Sequence, residues 1–257
     1  MGKSLIEIAK AVIQTEADSV LLLKDRIDQK FDEICHLIRL CKGKVILVGM
    51  GKSGHIAKKI ASTLASTGTP SFYLHPGEAG HGDLGMINSN DVVIMISYSG
   101  ESDEIISLLP GIKRIHTPII SMTGNINSTL AMASEFHLDV SVNKEACPNN
   151  LAPTSSTTAA LVMGDAIAVS LMSVNSFTSE DFAMSHPSGT LGRRLLTLVS
   201  SIMKEGLDIP IVSKETLLID SLLVMTKKSL GMVLIAEDEK LIGIFTDGDL
   251  RRAIEAN

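Results

Sequence analysis

Lys44-Val-Ile-Leu-Val-Gly-Met-Gly-Lys-Ser-Gly54 decides how the chain reads. A short apolar run ends in glycine, and helical periodicity follows from about His55 to Ser66. So short a run, rich in Val and Ile and stopped by glycine, reads as a strand buried on both faces. Asp91-Val-Val-Ile-Met-Ile96 and Pro118-Ile-Ile-Ser-Met122 repeat the pattern. Ser71-Phe-Tyr-Leu74 and Glu135-Phe-His-Leu-Asp-Val140 are weaker copies, and helical stretches fall at about Ser102 to Arg114 and Ser128 to Ala133. Apolar strands alternating with helices predict an α/β domain with a parallel, doubly wound sheet. Ligands of such sheets sit beyond the carboxyl ends of the strands. The loops that begin at Gly49, His75, Ser97 and Thr123 are therefore the candidates.

Upstream, residues 4–40 read as helix, either one or two, with Ser4 as N-cap and Gly43 as stop. Downstream, residues 155–173 form an apolar helix, and Phe177 to Leu196 is polar and then helical. After about Ser200 the order is strand, helix, strand, strand, helix. The expected division is a domain over residues 1–198, with an N-terminal helical arm, and a small α+β appendage over 199–257. With 23 basic and 29 acidic residues the net charge is −6, against broad attraction to nucleic acid or an anionic membrane. Six Phe, two Tyr and no Trp argue against a protein that stacks bases. Cys35, Cys41 and Cys147 are three cysteines with no CxxC, which excludes a disulfide scaffold and a four-cysteine zinc site. No signal-type segment and no run of 18 apolar residues is present, so the expectation is a cytoplasmic protein.

Gly49-Met-Gly-Lys-Ser-Gly54 matches GxGxxG, but a dinucleotide fold needs an acid at the end of the next strand, and none comes before Glu78. A Walker A loop fails because Ile46 stands where its first glycine belongs. What remains is a glycine turn feeding a helix, with Gly51, Lys52 and Ser53 at its mouth. It reads equally as a phosphate cradle or as a tight turn with a solvated lysine. Ser97-Tyr-Ser-Gly-Glu-Ser102 is the stronger site. Three hydroxyls and free amides at a helix start suit a phosphate dianion. Ser102 alone reads as an N-cap, but capping does not require Ser97 and Ser99 as well. Thr154 and Ser155, in Pro153-Thr-Ser-Ser-Thr-Thr158, complete the same pocket or cap the apolar helix.

His75-Pro-Gly-Glu-Ala-Gly-His-Gly-Asp83 holds His75 and His81 as possible metal ligands, without any helical metal spacing. His186, between Ser and Pro in a glycine-containing turn, is an acid/base candidate. Asp165 reads as a buried structural acid, and Cys147 not as a thiolate nucleophile.

These segments, with Lys144-Glu-Ala-Cys-Pro148 and Ser185-His-Pro187, resemble the bacterial arabinose-5-phosphate isomerases of the sugar isomerase (SIS) domain family. Residues 208–257, with Gly243-Ile-Phe-Thr-Asp-Gly-Asp-Leu250, look like one cystathionine-β-synthase (CBS) repeat. The resemblance implies a flavodoxin-like, doubly wound SIS domain that interconverts D-ribulose 5-phosphate and D-arabinose 5-phosphate. That step supplies Kdo for lipopolysaccharide or capsule. It places catalysis on Lys52, Glu104, Glu145, His186 and His81, and the phosphate on Ser97, Ser99 and Ser102. It also implies homotetramers with sites between subunits, and nucleotide contacts at Thr246 and Asp249. Three features depart from the family: Tyr98 in place of Asn, Ser188 and Thr190 after the His-Pro, and one CBS repeat where two are usual.

The expected chemistry is proton transfer through a cis-enediol(ate), with Glu104 as base and Glu145 as rival. No cofactor is required, since no electrons leave the substrate, and zinc at His75 or His81 would be an inhibitor or an incidental ligand. The alternatives are a non-catalytic phosphosugar-sensing regulator and an isomerase of another phosphosugar.

Overall fold

The computed structural model of the chain describes residues 4–255. It divides into two units, Met1–Leu196 and Thr197–Asn257. In the first, α1 (Leu5–Leu21) and α2 (Gln29–Leu40) lead into β1 (Val45–Gly49), α3 (Gly51–Ser66), β2 (Ser71–Leu74), α4 (Pro76–Gly80) and β3 (Val92–Ile96). Then come α5 (Asp103–Ile106), α6 (Leu109–Ile115), β4 (Ile119–Thr123), α7 (Thr129–Ala133) and β5 (Phe136–Asp139). The helices α8 (Ser155–Val174), α9 (Ser179–Ser185) and α10 (Thr190–Leu196) close the unit.

All four strand pairings are parallel, in the order β2-β1-β3-β4-β5. This is the flavodoxin order, and its switch point, where ligands bind, lies between β1 and β3. The apolar runs have no polar face because both faces are covered. Val45, Leu47, Val92, Ile94, Ile96, Ile120 and Met122 pack on one layer with α2, α3 and α8. Ile46, Val48, Val93, Met95 and Ile119 pack on the other with α5, α6 and α7. The strand period of two divides the side chains between the layers, and each buried Val, Leu or Ile contributes about 1.5–3 kcal/mol. At the amino ends, buried Asp91 accepts from Lys44 N–H and Asn88 N–H, both at 2.8 Å, so the starts of β1 and β3 are tied by one carboxylate.

Helix α8 is long and apolar enough, by length and composition, to cross a membrane. Here it is a core helix that buries Ala159, Ala160, Met163, Ile167, Ala168 and Leu171. Its one charged residue, Asp165, is not the buried acid the sequence suggested. It is 39% exposed and 2.6 Å from Lys59 Nζ on α3.

The first long helical reading resolves into two helices and the second comes apart. Residues 4–40 break at a 3-10 turn, Leu22–Arg26, after which Asp28 caps α2 through Lys30 N–H. Residues 102–114 break between α5 and α6, and Pro110 falls in the first turn of α6, where proline lacks no bond the helix needs. The loop after β2 holds the short helix α4, which the glycine-rich composition hid.

The second unit contains β6 (Ile211–Val212), α11 (Leu218–Lys228), β7 (Met232–Glu237), β8 (Lys240–Thr246) and α12 (Asp247–Glu255). β6 runs parallel to β7, and β7 antiparallel to β8. Of its described large apolar side chains only Met225 and Val233 are buried, a thin core for a unit of this size.

Candidate active site

The carboxyl ends of β1 and β3 lie side by side, Gly49 beside Ile96. After β1 the chain turns at Met50, so that Gly51, Lys52 and Ser53 form the first turn of α3. No side chain caps this helix. Its leading amides and positive dipole end are therefore available to an anion. Tyr73 Oη donates to Gly49 O at 2.9 Å and holds the turn against β2.

After β3 the serine loop is organised by its own hydrogen bonds. Buried Ser97 Oγ lies 3.0 Å from Ser102 Oγ and accepts from Gly100 N–H at 3.2 Å. Ser99 Oγ, exposed, accepts from Glu101 N–H at 3.2 Å. Ser102 stands at the N-cap position of α5 but makes no capping bond. Its hydroxyl turns to Ser97 instead, which corrects the capping reading.

A cavity of about 240 Å³ opens at this end of the sheet. Ser53, Tyr98, Glu145, Asn150 and Ser156 supply its polar lining, and Ile56, Ile96 and Met122 its apolar floor. Glu145 enters on the loop between β5 and α8. Its Oε2 accepts from Thr154 N–H at 2.8 Å, Thr154 Oγ1–H at 3.1 Å and Ser156 N–H at 3.2 Å. The carboxylate thus caps α8 from outside the helix, while Asn150 Oδ1 accepts from Glu145 N–H at 2.7 Å. Burial pushes the Glu145 carboxyl up, but the nearby Ser156 side chain, with the hydrogen bonds from the Thr154 and Ser156 amides and the Thr154 hydroxyl, outweighs it and holds it below the ordinary carboxylate range. A carboxylate stabilised in this way is a weaker proton acceptor, so the geometry speaks against Glu145 as the rival base.

Thr154 likewise departs from the phosphate-binding and capping expectations. Its amide and hydroxyl both donate to Glu145, and its Oγ1 accepts from Ala146 N–H at 2.9 Å. The hydroxyls of Ser155 and Ser156 are buried with no geometric hydrogen-bond partner, a cost of about 1–3 kcal/mol each; only Ser156 lines the cavity, where a bound polar ligand would offset it.

A pH dependence follows from the Glu145 shift. The folded-state pKa lies below the unfolded value of about 4.3, so the stabilisation is complete above that value and is lost as pH falls through the folded pKa. Urea midpoints of wild type and Glu145→Gln measured from pH 6 to pH 3 should therefore converge on the acid side. A gap that stayed constant would contradict the assignment.

The other candidates are scattered within one chain. Lys52 is exposed on the first turn of α3, beside the cavity-lining Ser53. Glu104 is exposed as the second residue of α5. His81 is exposed at the C-cap of α4. His186 is half-buried at the C-cap of α9, its ring stacked on Phe182 at 4.1 Å and its Nδ1 3.0 Å from Phe182 O. Of the sequence-predicted site residues only Ser53 and Glu145 line the cavity; Gly51, Lys52, His81, Ser97, Ser99, Ser102, Glu104, Thr154, Ser155 and His186 do not.

For the metal reading, His75 Nδ1 accepts from Gly77 N–H at 3.1 Å and caps α4, with His81 at the helix's far end. Among the described residues no three His, Cys, Asp or Glu side chains converge to hold an ion. In the second unit Asp249 accepts from Thr246 N–H at 2.9 Å, Thr246 Oγ1–H at 2.8 Å and Arg252 Nη2–H at 2.5 Å. The two nucleotide-contact candidates are thus bonded to each other.

The sequence reading missed Asn150 and took in Ser156 only as a member of the Pro153–Thr158 hydroxyl cluster, without singling it out. Ser156 was legible in principle, since it stands one helical turn before Ala160 and both line the cavity. The cysteines differ in environment. Backbone amides led by Ala152 and Leu151 pull the Cys147 thiol below the ordinary value, whereas burial, with a smaller contribution from Asp32, drives Cys35 up to about 11.

Residues 38–170 match the SIS domain family and residues 199–256 the CBS domain family. The arabinose 5-phosphate isomerase KdsD of Escherichia coli K12 is 56% identical over 255 residues, covering 99% of this chain and 78% of that protein. The chain belongs to the arabinose 5-phosphate isomerase family. A second family member, KdsD of Pseudomonas aeruginosa, is 55% identical over 251 residues, 97% of this chain and 77% of the relative. Protein c3406 of E. coli CFT073, solved in complex with arabinose 5-phosphate, superposes with a TM-score of 0.70 at 42% identity, over 73% of this chain and all of that one.

Proposed function

We propose that this chain interconverts D-ribulose 5-phosphate and D-arabinose 5-phosphate by proton transfer through an enediol(ate), feeding Kdo synthesis for lipopolysaccharide or capsule. The observation that carries the reading is the meeting of an uncapped helix start, a self-organised serine loop and unpartnered buried hydroxyls at the switch point of the sheet. Backbone amides of α3, Ser53, Ser97, Ser99 and Ser102 hold the phosphate, and this remote grip supplies orientation at the reacting carbons. The Ser156 hydroxyl, which lines the cavity, faces a sugar oxygen.

Glu104 takes the proton from C1 of the ketose, exchanges it with solvent while the enediolate is held, and delivers a proton to C2. The C1–C2 enediolate forms as the C2 carbonyl closes, and the aldehyde appears at C1 when C2 is reprotonated. Lys52 steadies the developing oxyanion, an effect of about 2.7–4 kcal/mol in comparable sites. His186 opens the furanose ring or shuttles the hydroxyl proton, and His81 assists. The reaction is redox-neutral, so no external electron carrier enters. Within one chain neither Lys52, Ser97, Ser99 and Ser102 nor Glu104, His81 and His186 line the cavity, and in this reading the complete site is assembled between subunits of a homotetramer.

Incubation of the protein with ribulose 5-phosphate in deuterium oxide tests this directly. The expected product is arabinose 5-phosphate carrying solvent deuterium at C2, read by proton NMR. Binding without turnover would mark a sensor, and a product unlabelled at C2 would mark hydride transfer.

A further inference from the structure

We infer that Tyr98 is a positioning residue of this site, clasping the chain that leaves β5 to the serine loop that leaves β3; the inference rests on the sugar-site reading above. Tyr98 engages both its backbone and its side chain. Its carbonyl accepts from Gly124 N–H at 2.8 Å, which carries the contact between β3 and β4 past the end of the strands. Its side chain then crosses over Gly124 and reaches the far side of β4. There Val142 N–H donates to Tyr98 Oη at 3.1 Å, and Tyr98 Oη–H donates to Val142 O at 3.4 Å. Regular strand pairing has stopped by this point: the last backbone link between β4 and the chain after β5 is Val140 N–H to Thr123 O at 2.9 Å. One tyrosine therefore ties the carboxyl ends of three neighbouring strands where the backbone no longer does.

Gly124 makes the crossing possible. A Cβ at that position would lie 2.6 Å from Cε2 and 2.8 Å from Cζ of the Tyr98 ring, far inside ordinary contact distance, so a larger residue and the crossing ring exclude each other.

The clasp bears on the site because Val142 is the near root of the loop that carries Glu145. The far root is the carboxylate of Glu145 on Thr154 and Ser156. Tyr98 and Val142 also both line the cavity. Fixing both roots sets the distance between the serine loop and Ser156 on the opposite wall of the cavity. Without the clasp, the wall between them becomes free to move, and the cavity must be ordered each time a ligand enters.

Two variants break the clasp by different means. Tyr98→Phe keeps the ring and removes Oη, whereas Gly124→Ala keeps the hydroxyl and displaces the ring. In both, hydrogen exchange at the Val142 amide should speed up. KM for ribulose 5-phosphate should rise about three- to tenfold, the range expected for loss of one neutral hydrogen bond, while kcat changes less than about twofold. The double variant should be no worse than the poorer single one, because both changes remove the same link. A role in fold stability alone would lower the melting temperature and the active fraction with KM fixed, and that result overturns the proposal. So does unaltered exchange at Val142 in Tyr98→Phe, or fully additive effects in the double variant. Should the wild type fail to turn over ribulose 5-phosphate, the reaction falls but the clasp is still judged, by Val142 exchange and by the dissociation constant for arabinose 5-phosphate from calorimetry.

Discussion

Glu104→Gln lowers kcat for ribulose 5-phosphate isomerisation by about 10²- to 10⁴-fold, the contribution of one positioned acid/base group, with little change in KM. Glutamine preserves the shape and the hydrogen-bonding oxygen but cannot carry the proton between C1 and C2. The phosphate grip is untouched, because Glu104 is the second residue of α5 and follows the serine loop. Loss should therefore appear in the chemical step and not in binding. Deuterium exchange at C1 of ribulose 5-phosphate should fall in parallel with turnover. A variant retaining activity within about tenfold of wild type, a loss of no more than roughly 1.4 kcal/mol, would remove Glu104 from the base role. Glu145 would not inherit that role easily, since three hydrogen bonds hold it ionised on α8.

Gly100→Ala destabilises the first unit by about 2–5 kcal/mol, a left-handed backbone cost plus an overpacking cost, and abolishes phosphosugar binding. Gly100 sits at φ +69° in the middle of the serine loop, a conformation side chains rarely adopt. A Cβ there would meet Ser128, with its own Cβ at 2.5 Å. Ser128 is buried and caps α7 through Ala131 N–H at 3.3 Å, so it has little room to withdraw. Gly100 also accepts from Leu130 N–H at 3.1 Å and donates to Ser97 O at 3.0 Å. The same substitution thus strains the fold and moves Ser97 and Ser99. The expected result is a lower urea midpoint together with loss of arabinose 5-phosphate binding in the fraction that remains folded. Native-like affinity in a destabilised variant would show that the serine loop is not the phosphate site.

The parallel sheet was legible because a strand covered on both faces leaves no polar alternation, and runs such as Val45–Val48 and Val92–Ile96 admit little else. The serine loop was legible for a related reason: three hydroxyls and a glycine directly after such a strand are placed by topology at its ligand-binding end. The break between α5 and α6 was not legible, because proline in a first turn carries no penalty that a periodicity count detects. Nor was Asp165, whose partner Lys59 stands on another helix.

By its residues alone, the chain determined the doubly wound sheet, the switch point and the class of ligand, because apolar runs, glycine turns and hydroxyl clusters act over a few neighbouring positions. Only the tertiary structure decided that Glu145 is pinned to the start of α8, that Thr154 serves it and not a phosphate, and that Tyr98 crosses Gly124 to reach Val142. Each of those facts is a meeting between side chains or backbone groups brought together by packing, and no local period in a sequence specifies which distant groups will meet.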